Sequence, residues 1–84
     1  MDFATECDEL ADVIERFMTG TSPGWEWDDY SHKRYKDPFL ASVQGKMHSV
    51  GVEFPPRSKT EYTSPEGIAV LRGLVEELRF RARQ

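Results

Sequence analysis

Between residues 25 and 32 the chain reads Trp25-Glu26-Trp27-Asp28-Asp29-Tyr30-Ser31-His32, where acids, large aromatics and an imidazole crowd together. If this stretch is helical, Asp28 and Asp29 lie one turn from His32, and two carboxylates with an imidazole are metal-ligand types. This is the metal-binding or hydrolytic reading, and it is the weaker one. His32 has no second histidine at helical spacing, and His48 falls on another element with no acidic partner beside it. Read as a surface, Trp25, Trp27, Asp28, Asp29 and Tyr30 form an acidic aromatic patch. Trp and Tyr are frequent interface anchors, and carboxylates steer basic partners, so the patch suits a protein partner with basic character. The plainer alternative has the aromatics capping a small core, with Asp28 and Asp29 capping a helix or solvated.

No other chemistry is written in local motifs. Ser64-Pro65-Glu66-Gly67 lacks the glycines and lysine of a phosphate-binding loop. Relays of the Ser-His-Asp or Cys-His kind meet in space, so spacing alone cannot assign one. No motif calls for a cofactor, and an enzyme is the less favoured class. The single cysteine, Cys7, excludes an internal disulfide and falls on the apolar side of a predicted helix, where a thiol behaves as a small hydrophobe.

The elements that must position these groups are helices. At the C-terminal end, Ser64 is a capping residue, Pro65 fits the first helical position and Glu66 suits the positive end of the dipole. Ile68, Leu71, Val75, Leu78 and Ala82, with Leu74 beside them, then draw one apolar stripe. Phe80 projects off that stripe, with Ala69 and Gly73 on its side. Ala69, Gly73 and Phe80 therefore form a close-approach surface suited to a homodimer. The alternative is a half-exposed Phe80 near a fraying end.

From residue 2 to about 19, Phe3, Cys7, Leu10, Ile14 and Phe17 recur at steps of four and three, with Gly20 as a natural stop. The wide apolar arc predicts packing against two other elements. Residues 21–24 break this helix, and 25–30 are expected to form one irregular helical turn with one Trp buried and the other exposed. Asp37-Pro38 opens a further helix carrying Phe39, Leu40, Val43, Met47 and Val50, expected to end near Ser49, with an extended piece through Phe54. Pro55-Pro56 forces an extended connection, so 57–63 reads as loop with Tyr62 anchored on the core.

The expected fold is mainly α: a small single domain, 1–84, of three helices near 2–19, 38–49 and 65–82 joined by two long irregular connections. The alternative is α+β with a short hairpin around 50–62. An 84-residue chain buries only roughly 60 to 65% of the surface its unfolded form exposes, so its margin is small or helped by a partner.

Charge and hydropathy narrow the setting. No run of about 18 apolar residues exists, and Met1-Asp2-Phe3 is acidic where a signal peptide is basic, so a cytoplasmic protein with no membrane partner is expected. Residues 1–29 hold nine acids against Arg16, net −8, whereas residues 30–84 carry net +4. Such a chain either pairs its own halves or associates head to tail. Lys33, Arg34 and Lys36 are too few and too close to Asp28, Asp29 and Asp37 to form a phosphate track, so nucleic acid is not an expected partner.

Overall fold

In the computed structural model, which describes residues 2–58 and 62–84, the chain folds into four helices and no strand among the described residues. They are α1 (Phe3–Thr19), α2 (Glu26–His32), α3 (Pro38–Glu53) and α4 (Pro65–Ala82). The mainly α expectation holds, and the hairpin alternative is not supported.

Each long helix starts where the sequence places a cap. Asp2 accepts a hydrogen bond from the Thr5 amide at 2.7 Å, Asp37 accepts from the amides of Phe39 and Leu40, and Ser64 Oγ accepts from Gly67. These side chains satisfy amides that the first turn leaves orphaned. The end of α1 is a left-handed glycine turn. Gly20 has φ 76°, its amide donates to Phe17 O, and the Thr21 amide donates to Arg16 O, the paired closure that a residue with a Cβ resists at this position.

The three long helices bury their predicted stripes in one core, in which Leu10, Ile14, Leu40, Met47, Leu71 and Leu78 are fully buried. Helix α4 packs chiefly on α1. The two run antiparallel, since Phe17 and Met18 border a cleft with Ile68 at one end while Arg79 reaches Asp8 at the other. Helix α3 lies parallel to α1: Phe3 meets Phe39 at 6.4 Å, and the Arg81 guanidinium sits 4.0 Å above the Phe39 ring.

Three expectations are corrected. Residues 26–32 form a helix, so the described residues hold four helices instead of three. Helix α3 continues through Gly51 to Glu53 instead of yielding an extended piece. Val50 is buried while Val52 points into solvent, and Gly51 lacks the positive φ that would end a helix. Termination comes at Phe54, where φ reaches −128°, because the following Pro55 disfavours helical geometry before it. Tyr62 is not a buried anchor. It is 71% exposed and only leans on Phe17, with ring centroids 5.1 Å apart. The expected loop over 57–63 and the hairpin over 50–62 fall partly on residues 59–61, which lie outside the described residues.

The link from α3 to α4 is tight. Thr63 is buried and its Oγ1 donates to Phe54 O at 2.5 Å, while the Ser64 amide donates to the same carbonyl at 3.0 Å. Gly67 sits against this turn. A Cβ there would collide with the Thr63 side chain and lie 3.0 Å from Phe54 Cβ, so the first turn of α4 closes on its connection only because residue 67 has no side chain.

Candidate functional site

Helix α2 is a strut laid across α1 and α3, held by polar ties along its buried side. Glu26 receives a bidentate pair from Arg16, Nε to Oε1 at 3.0 Å and Nη2 to Oε2 at 2.8 Å, and a third bond from Ser22 Oγ at 3.2 Å. The guanidinium bonds hold the Glu26 carboxyl below the usual carboxylate range and raise Arg16 in turn, against a burial effect that pushes both the other way. One turn on, Tyr30 Oη donates to Glu9 Oε1 at 2.8 Å, and that bond raises the phenol. Lys33 Nζ lies 3.5 Å from the same Glu9 oxygen and 5.2 Å from the centre of the Tyr30 ring. From α3, Gln44 Nε2 donates to the carbonyls of Tyr30 and Lys33.

This anchoring divides the two tryptophans. Trp27 is half-buried and stacks on Phe17, ring centroids 3.7 Å apart and planes 18° from parallel. Trp25, two residues earlier, is 64% exposed. The reason is helical geometry: two residues turn the direction by about 200°, so only one ring can face α1. Asp28 and Asp29 are exposed, and among the described residues their carboxylates make no hydrogen bond or ion pair. The helix therefore shows Trp25, Asp28 and Asp29 to solvent, while Trp27 and Tyr30 are largely turned to its supports.

The metal-ligand candidates do not converge. His32 Nδ1 lies 2.8 Å from its own helix's Asp28 carbonyl, and no group of three or more His, Cys, Asp or Glu is placed to hold a metal ion among the described residues. What the fold brings together instead is His32 and His48, edge to face with centroids 5.0 Å apart on α2 and α3. Sequence spacing gave no hint of that approach.

A cleft of about 250 Å³ lies beside α2, lined by Phe17, Trp27, Tyr62 and Asp28 and floored by the 20–24 turn. Asp28 also borders a broader, open depression with Trp25, Asp29, Tyr30, His32 and Lys33. Phe17 lies on α1 and Tyr62 just before α4, so a local reading of residues 25–32 cannot show the cleft. Arg16 did leave a signal: a lone base among nine acids in the first 29 residues needs a partner.

The second surface is less built. Phe80 is 63% exposed, Ala69 and Gly73 are exposed, and a Cβ on Gly73 would meet nothing within 4 Å. No matching family model, curated protein or solved structure was found for this chain.

Proposed function

We propose that this chain is a small cytoplasmic protein-binding module, an adaptor, antitoxin-like or inhibitor-like protein, that engages a basic partner through α2. The observation that carries this reading is Trp25: a large ring left in solvent at the N-cap of a helix that is tied to α1 and α3. A rigid aromatic anchor loses little freedom on binding, and the unpaired carboxylates of Asp28 and Asp29 beside it favour a positively charged surface. No helix among the described residues is long and apolar enough to cross a membrane.

The test is affinity capture from the protein's own cells with wild type, Trp25→Ala and Asp28→Asn/Asp29→Asn, alongside urea unfolding of each. A partner retained by wild type and lost by variants of unchanged stability supports the module. Equal capture by all three would refute it.

A homodimer through Ala69, Gly73 and Phe80 is a second proposal, supported by the exposure of Phe80 and the open space over Gly73. It predicts a dimeric mass by light scattering that Gly73→Leu/Phe80→Glu converts to monomer. A wild type that is monomeric at high concentration would remove it.

A further inference from the structure

The cleft beside α2 has a composition that selects a sign of charge. Three aromatic rings, Phe17, Trp27 and Tyr62, line it, and its one charged lining residue is Asp28. Aromatic rings carry negative potential over their faces, and a carboxylate adds to it. The nearby Arg16 does not offset this, because its guanidinium is spent on Glu26 in a pair of no net charge. An anion would meet the Asp28 carboxylate with no basic residue in the lining to offset it. A neutral apolar group would cover Asp28 without giving it a partner, which is costly. A cation satisfies both kinds of wall at once. At about 250 Å³ the cleft is below the range of about 300–1,000 Å³ typical of drug-sized ligands, so it suits one head group and not a cofactor.

We propose that this cleft takes a single organic cation, an alkylammonium or guanidinium head, supplied as a side chain by the protein partner. The identity of the source rests on the function proposed above; the cation preference does not. The loop between α1 and α2 offers a position at which to test the assignment. Gly24 lines the cleft, yet its φ is not positive and an added Cβ would meet nothing within 4 Å. The fold does not require glycine there, so a side chain can be added at this wall.

The experiment uses the full chain carrying Trp25→Phe, so that Trp27 alone reports. At constant ionic strength, Trp27 emission is followed on titration with choline, with N-acetylarginine amide and with 3,3-dimethylbutanol, the uncharged carbon isostere of choline. The expected result is a saturable response to the cations and a response to the isostere weaker by roughly tenfold or more. Adding Asp28→Asn or Gly24→Leu should each weaken cation binding by about tenfold, with unfolding midpoints unmoved. An isostere that binds as well as choline, or variants that bind as well as the parent, would overturn the inference, as would the lack of saturation with either cation. Capture of the partner by Gly24→Leu separates the two sources. Loss of both choline and partner supports a partner side chain, whereas loss of choline with capture intact would overturn that assignment and leave α2 as a docking surface without the cleft.

Discussion

The pair between Arg16 and Glu26 ties α2 to the last turn of α1, and removing one side of it should cost more than removing the other. The Glu26 side chain is 8% exposed and that of Arg16 41% exposed. Breaking a fully buried ion pair costs about 3–5 kcal/mol, and an exposed pair contributes about 0–1 kcal/mol. With one buried and one open end, Arg16→Ala should fall between, near 2 kcal/mol, because it strands a buried carboxylate that keeps only the Ser22 hydroxyl. In a chain of this size that corresponds to a melting temperature lower by about 8–16 °C. Glu26→Gln should cost less, since Arg16 can turn to water and the amide needs no counter-charge. The double variant Arg16→Ala/Glu26→Gln should be more stable than Arg16→Ala alone.

The pH dependence of the same variants carries an opposite sign for each state of the pair. In the wild type Glu26 is held below its unfolded value, so its contribution is present above that value and is lost as pH falls through the folded one. Without Arg16, burial is left to act and raises the Glu26 carboxyl; the variant should then gain stability as pH falls from 7 toward 5. Urea unfolding followed by tryptophan emission at both pH values measures this. The reasoning is refuted if Arg16→Ala matches wild type within about 0.5 kcal/mol and Glu26→Gln rescues nothing in its background.

Two further outcomes test the packing. Gly67→Ala should destabilise by about 1–3 kcal/mol through its collision with Thr63, while Gly73→Ala on the same helix, with open space around it, should stabilise by up to about 1 kcal/mol; thermal melts of the two variants with the same sign would contradict the close approach at Gly67. Cys7 is fully buried, and burial first, then the charges of Asp37 and Asp8, raise its thiol, so iodoacetamide should modify it only after denaturant is added. Because the folded thiol lies above its unfolded value, the Cys7 contribution is complete below about pH 8.5 and is lost as pH rises beyond it; rapid alkylation in native buffer would show that the α1 face is misassigned.

The long helices were legible because local signals agree with the tertiary outcome. Asp2, Asp37 and Ser64 cap them, and the apolar steps of three and four in each helix are residues that the core buries or that pack half-buried against it, as Phe3, Phe39 and Ile68 do. Helix α2 was legible only as a turn, since it is seven residues long and its start, Trp25, makes no side-chain cap. Its support comes from Arg16, Glu9 and Gln44, which lie 10, 21 and 14 residues from their partners. Short helices are marginal on local terms, so such long-range ties decide them. The end of α3 was misread for a different reason. A glycine stops a helix by taking a left-handed conformation, as Gly20 does; Gly51 stays helical and the proline after Phe54 sets the limit.

The site was legible in type but not in extent. A half-turn between Trp25 and Trp27 required one ring to differ from the other, but which one is buried depends on Phe17, a residue of another helix. The charge pattern resolves in the same way. Of the nine acids before Tyr30, Asp2 caps α1, and Asp8, Asp12 and Glu15 gather around Arg79 at 2.9, 2.6 and 3.3 Å. Glu9 takes Tyr30 and Lys33, and Glu26 takes Arg16. Four of the nine, Asp8, Glu9, Asp12 and Glu15, thus bond to residues beyond 29, namely Tyr30, Lys33 and Arg79. Among the described residues this leaves Glu6, Asp28 and Asp29 without a bonded or ionic partner, and the latter two lie on α2, whose N-cap is the exposed Trp25. Asp8, Asp12 and Glu15 share one guanidinium and stay half exposed, whereas Asp28 and Asp29 stand unpartnered beside one exposed ring. A field that narrow acts at contact range more than over distance, since at physiological salt it is screened within about 8 Å. A partner chosen by it must bring its positive charge directly onto α2.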